Sequence, residues 1–115
     1  DYNAFDDHTI VRSAAPLPAG ARRLAVEFRR GPNRTATVRL MVDDTEVGNG
    51  DVPWVMGTIS STGASIGYDN GSPVSRAYAA PNPFQGRLDL LELQLVSRRS
   101  RAAAESEAST EMGRQ

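Results

Sequence analysis

One histidine, no cysteine and a scatter of carboxylates at turn positions are the reactive groups this sequence offers. His8 stands beside Asp6-Asp7, so any Ser-His-Asp relay would have to use it. At a strand start next to two acids, a solvated turn is the role its position favours. Asp43-Asp44 with Glu46, and Asp69 with Asn70, are oxygen donors of the kind Ca²⁺ takes, roughly six to eight at a time. Asp and Asn are equally the residues that turns select, and the sequence favours that reading. Without cysteine there is no disulfide, no thiolate metal site and no thiol nucleophile. Trp54, with Tyr68 and Tyr78, offers rings on which a sugar or aryl group could stack, although a lone Trp in a small domain more often anchors a core or a domain interface. Arg22-Arg23, Arg29-Arg30 and Arg98-Arg99-x-Arg101 could hold sulfate or phosphate, but charges along strands usually mark solvated edges.

The stretch best suited to contact something is Asp69-Asn70-Gly71-Ser72-Pro73-Val74-Ser75. Asn70-Gly71 supplies positive φ, and Pro73 fixes φ near −65°. A turn that only reversed the chain would need no more than Asn70-Gly71. The added Pro73-Val74 step and the hydroxyls of Ser72 and Ser75 make a rigid, polar-tipped loop, which loses little entropy on docking. Trp54, Tyr68, Asp69, Asn70, Ser72 and Val74 are therefore the interface or ligand-contact candidates. No residue is assigned a catalytic or metal-binding role.

These side chains sit in a chain of 115 residues, which fits one domain burying roughly two-thirds of its unfolded surface. All 13 basic residues are arginine, a signature of GC-rich codon usage rather than of physics. A net charge of −1 gives no electrostatic case for nucleic acid or anionic membrane as a partner. No apolar run approaches the roughly 20 residues of a membrane-spanning helix, and no signal peptide is evident. The chain begins at Asp1, inside what reads as the approach to a strand, and this suggests a processed or cut piece.

Residues 22–30 alternate cleanly, with Leu24, Val26 and Phe28 on one face and Arg23, Ala25, Glu27 and Arg29 on the other. Residues 35–42 alternate again, placing Ala36, Val38, Leu40 and Val42 inward and Thr37, Arg39 and Met41 outward. Gly31-Pro32-Asn33 joins the two runs as a hairpin. Asp6-Asp7 reads as a turn, residues 8–13 as a short strand with Ile10 on one face, and residues 14–20 as a loop, because Pro16 and Pro18 exclude helix and central strand. Asp43-Asp44-Thr45 is a turn before a short return strand over 46–50. Pro53 and Gly57 make 52–59 an edge or bulged segment, and 64–68 reads as a short strand. In the last run Leu88 and Leu90 hold one parity while Leu91, Leu93 and Leu95 hold the other. A bulge at Asp89-Leu90 would return Leu88 to the second set and leave Leu90 outside. The expected core is Leu24, Val26, Phe28, Val38, Leu40, Ile66, Leu88, Leu91, Leu93 and Leu95.

About seven short strands without a confident helix predict an all-β, antiparallel β-sandwich over residues 1–97. Two packed sheets keep apolar faces dry where a single sheet cannot. Residues 98–115 lack an apolar stripe and read as a flexible charged tail, disordered or partly helical.

Tyr2-Asn3, Arg12-Ser13, Pro16-Leu17-Pro18-Ala19-Gly20, Val26-Glu27-Phe28, residues 35–43, Gly67-x-Asp69, Gly71-Ser72-Pro73-Val74-Ser75 and Phe84-x-Gly86 come in an order and spacing that resemble one known region. It is the accessory segment after the catalytic domain of long bacterial, mostly actinobacterial and proteobacterial, arylsulfatases. Asp44 stands where that family usually has glycine, a change Asp tolerates in a left-handed conformation. The architecture also resembles concanavalin-like or laminin-G-like sandwiches of jelly-roll type. In the sulfatases further strands precede the Tyr-Asn pair, so the resemblance implies an incomplete sandwich. It implies as partner a sulfatase catalytic domain, in the same or a neighbouring polypeptide, located in the cytoplasm, periplasm or outside a bacterium. That domain's cofactors would be a divalent cation, usually Ca²⁺, and a formylglycine made within C/S-x-P-x-R. This chain has no such motif, since Ser13-Ala14-Ala15-Pro16 has the wrong spacing and no following Arg. It is therefore expected to be inactive alone and to carry no cofactor. Two other classes stand beside this one. A lectin-like carbohydrate-binding module would expose Trp54 and Tyr68 together on a concave face. An unrelated structural domain would bury the leucines of 88–95 and show no pocket.

Overall fold

Tight turns built from left-handed residues set the architecture. The computed structural model describes residues 1–57 and 63–95. Phe5 (φ 53°) and Asp6 (φ 72°) join β1 (Tyr2–Ala4) to β2 (Asp7–Thr9), and Asp43 (φ 46°) and Asp44 (φ 67°) join β4 (Ala36–Val42) to β5 (Thr45–Val52). Two consecutive positive φ values give the hairpin turn whose twist matches that of the flanking strands. Between β3 (Leu24–Arg30) and β4 the chain turns through a 3-10 segment, Pro32–Arg34, with Asn33 and Arg34 left-handed. The Thr35 amide (3.0 Å) and hydroxyl (2.7 Å) both donate to the Pro32 carbonyl and close this turn.

The result is all-β and antiparallel: a two-stranded ribbon, β1-β2, and a three-stranded sheet in the order β3-β4-β5. In the larger sheet Leu24, Val26 and Phe28 stand opposite Val42, Leu40 and Val38, and Ala36 stands opposite Val52. One face is thus apolar across all three strands, with the alternation that residues 22–42 predict. Asp43 locks the hairpin to the start of β3. Its carboxylate accepts from the Arg22 (3.1 Å) and Arg23 (2.9 Å) amides, and its own amide donates to the Arg23 carbonyl at 2.9 Å.

The main buried cluster sits over β4 and β5, and Ala4 of β1 is buried as well. Gly48 and Gly50 lie on the apolar face of β5, and residues 11–14 cross it. A Cβ at Gly48 would collide with the Arg12 carbonyl, and one at Gly50 would stand 2.8 Å from Val11 Cγ2. The Ala14 amide donates to the Val47 carbonyl at 2.8 Å and pins this cover. Beneath it Ala36, Val38, Val52 and Val55 form the buried cluster, with Tyr2, Val11 and Leu40 packed against it. Tyr2 also stacks on Phe28 with ring centroids 6.0 Å apart, and its hydroxyl accepts from the Met56 amide at 2.7 Å.

Several expectations are corrected here. Among the described residues there are five strands. Residues 64–68 and 88–95 form no ladder, and the first turn is Phe5-Asp6 rather than Asp6-Asp7. β2 ends at Thr9, while β5 extends from Thr45 to Val52 and the irregular segment begins at Pro53. Of the ten expected core residues, only Val38 is buried and Leu40 half-buried. Leu24, Val26, Phe28, Ile66, Leu88, Leu91, Leu93 and Leu95 are exposed. The physical reason is coverage. Alternation states which face a side chain takes, and residues 11–14 cover that face over β5 but not over β3. The chain divides into two units, Asp1–Gln85 and Gly86–Gln115. The tail expectation for 98–115 and part of the 52–59 segment fall outside the described residues.

Candidate functional site

Residues 63–85 contain no strand, and glycine and proline geometry shapes them into a cleft. Gly67 (φ 76°) and Gly71 (φ 89°) take conformations that suit residues without Cβ, and Asn82 (φ 36°) turns the returning chain. Two backbone bonds hold the walls together: the Asp69 amide donates to the Pro81 carbonyl at 2.8 Å, and the Phe84 amide to the Gly67 carbonyl at 2.7 Å. Between them opens a cleft of about 510 Å³, lined by Tyr68, Asp69, Val74, Tyr78, Asn82 and Phe84 among others. The Asp69 carboxylate beside the Tyr78 hydroxyl, with some desolvation, raises the tyrosine pKa above its ordinary value, because losing the proton would set two negative charges side by side.

Of the sequence candidates, Tyr68, Asp69 and Val74 line this cleft. Asn70 and Ser72 lie exposed on the same loop. Trp54 does not line it. It follows β5, about two-fifths exposed, beside the buried Val55. Trp54 and Tyr68 are both exposed, but the cleft uses only the tyrosine. Tyr78, one of the three rings the sequence offers for stacking, also lines the cleft; Asn82, Pro83, Phe84 and Gln85 line it too, and the sequence marks them only as connection and strand start. The clustering of Pro81, Asn82 and Pro83 before Phe84 was the available signal, since such residues force a reversal.

The carboxylates proposed as alternative metal ligands have other partners. Asp43 accepts the two amides described above, Asp44 pairs with Arg23 at 3.1 Å, and Glu46 accepts from Arg39 Nε at 2.6 Å and from Asn49 Nδ2 at 2.7 Å. Among the described residues no three His, Asp or Glu side chains converge as a metal site would need. His8 lies between two acids, with Nδ1 3.0 Å from Asp1 and Nε2 3.5 Å from Asp6. Arg76 also pairs with Asp6, tying the ribbon to the loop that lines the cleft. Arg76, and to a smaller degree His8, hold the Asp6 carboxyl below its ordinary pKa. On the solvent face of the large sheet, Glu27 bonds Arg29 and also Arg39 (3.0 Å), and Arg39 bonds Glu46. Arg29 first and then Arg39 lower the pKa of Glu27. Arg39, with Asn49, lowers that of Glu46.

No family model matches the chain, and comparison with curated proteins and with solved structures returns no match. The site speaks through its own chemistry: an open, uncharged-to-acidic cleft with aromatic walls.

Proposed function

We propose that this chain is a non-catalytic accessory domain of an arylsulfatase, packing on or supporting a catalytic domain that it does not itself contain. The observation that carries the reading is the run of landmarks from Tyr2-Asn3 to Phe84-x-Gly86, in order and spacing like those of that accessory region. The geometry is compatible in two respects. The loop over residues 69–75 is walled by backbone bonds to 81–84 and presents the exposed Val74, Asn70 and Ser72, a rigid surface that can dock with little loss of entropy. The apolar face of β3 is uncovered, as expected of an antiparallel sandwich, of jelly-roll or concanavalin type, that lacks part of its second layer. On this reading Val74 and Trp54 meet the catalytic domain, and the Asp69 amide holds the loop through the Pro81 carbonyl.

The test is calorimetric titration of this chain with a sulfatase catalytic domain encoded in the same or a neighbouring reading frame. Val74→Asp should weaken association at least tenfold and leave the melting of the isolated chain unchanged. A variant that melts early yet binds as before would make the loop structural and end the docking claim.

The cleft favours a second reading, a lectin-like carbohydrate-binding module. The rings of Tyr68, Tyr78 and Phe84, with the polar groups of Asp69, Asn82 and Gln85, match what a neutral sugar needs. Neutral oligosaccharides that shift the Tyr68 and Tyr78 resonances in proportion to dose would favour it over docking.

A further inference from the structure

Two unsatisfied features of this chain are complementary to each other. The first is β3, an edge strand whose outer backbone has no ladder partner among the described residues. Its apolar side chains Leu24 (59% exposed) and Val26 (67%) are more exposed than the polar-face residues Ala25 and Glu27, the reverse of an ordinary half-buried strand. The second is the segment over residues 88–95. It holds no ladder, yet its sidedness is that of a strand. Gln94 donates to Glu92, so these two residues, two apart, share a face. Leu91, Leu93 and Leu95 therefore occupy the other face, at 51%, 77% and 91% exposure. A long, flat, apolar edge is a template for a strand from another molecule.

We propose that two copies of this chain exchange these strands reciprocally, residues 91–95 of each adding antiparallel to the β3 edge of the other. Each copy brings one acceptor edge and one donor strand, so the exchange closes on itself with two-fold symmetry. Charge selects the register. Matching Leu93 to Val26 would set Glu92 across from Glu27. A two-residue shift instead pairs Glu92 with Arg29, Gln94 with Glu27, Leu93 with Phe28 and Leu95 with Val26, and directly opposite unlike charges favour that alignment. Leu24 and Leu91 flank these pairs on the same face. From their fractional exposures, the six apolar side chains of one contact expose about 700 Å², so about 1,400 Å² is the upper bound on the apolar side-chain area two contacts can bury, against the roughly 1,200–2,000 Å² of stable dimers. The exchange uses the β3 edge and not the loop over 69–75, so its test at Val26 and Leu93 reads independently of the docking test at Val74.

The absence of cysteine gives a clean background for the test. Sedimentation velocity over a concentration series should show the intact chain as a dimer. Leu93→Asp and Val26→Asp, both at exposed positions, should each give a monomer with an unchanged circular dichroism spectrum. Val26→Cys and Leu95→Cys chains, mixed and mildly oxidised, should form the mixed disulfide several-fold faster than either forms its own. An intact chain that stays monomeric throughout overturns the proposal. So does a Leu93→Asp chain that still dimerises, or a mixture in which like-with-like disulfides prevail.

Discussion

Replacing Val52 by alanine removes two methyl groups from a side chain that is 1% exposed and central to the cluster with Ala36, Val38 and Val55. At about 0.8 kcal/mol for each buried carbon, the transfer loss is about 1.6 kcal/mol. The cavity left behind adds about 1 kcal/mol, because Ala36 is too small to fill it and Val55 is held by its amide bond to the Arg34 carbonyl. Val52→Ala should therefore cost about 2–3 kcal/mol, a fall in thermal midpoint of about 10–20 °C in a domain of this size. Leu90→Ala removes more apolar atoms, but from a side chain 77% exposed, and should stay within about 0.5 kcal/mol. Leu93→Ala should match Leu90→Ala in dilute solution and cost more only where the chain is concentrated enough to dimerise. Urea denaturation at two protein concentrations measures all three. If Leu90→Ala or dilute Leu93→Ala costs as much as Val52→Ala, the core is not where these burials place it.

Gly48→Ala should cost about 1–3 kcal/mol, because the new Cβ meets the Arg12 backbone, which cannot yield as a flexible side chain would; thermal melting checks it. Asp43→Ala removes the acceptor of the Arg22 and Arg23 amides and puts alanine at φ 46°, a left-handed position alanine disfavours, so it should lower stability by about 2 kcal/mol in urea. Asp6, Glu27 and Glu46 have folded pKa values below their ordinary ones, so their contribution is present above those ordinary values and is lost as pH falls through the folded ones. Urea midpoints should therefore drop as pH falls below about 4.5, and Arg39→Gln should reduce that drop chiefly through Glu46, since Glu27 keeps its pairing with Arg29.

The hairpins were legible because their information is local. Alternation over residues 22–42 states the faces, and Gly31-Pro32-Asn33 and Asp43-Asp44 state the turns. Burial was not legible, because it depends on what lies across the face. Gly48 and Gly50 look like weak points of a strand, yet their missing side chains admit the Val11-Arg12 backbone and so fix where the core forms. The leucines of 88–95 have the pattern of a strand and no ladder, since a strand exists only with a partner for its backbone. In the candidate site, Asp69 and Val74 could be chosen from their loop, but Phe84 joins them only through a reversal at Pro81 and Asn82. Trp54, chosen for its residue type alone, lies elsewhere on the surface.

The proposed place of this chain beside a sulfatase catalytic domain is tested most directly by expressing the whole reading frame that encodes it and assaying hydrolysis of an aryl sulfate. The expected result is turnover by the full product, with a C/S-x-P-x-R motif upstream of Asp1, and none above a blank by residues 1–115 alone. A full product that lacks the motif and leaves the aryl sulfate intact, or measurable turnover by this chain alone, would contradict the account.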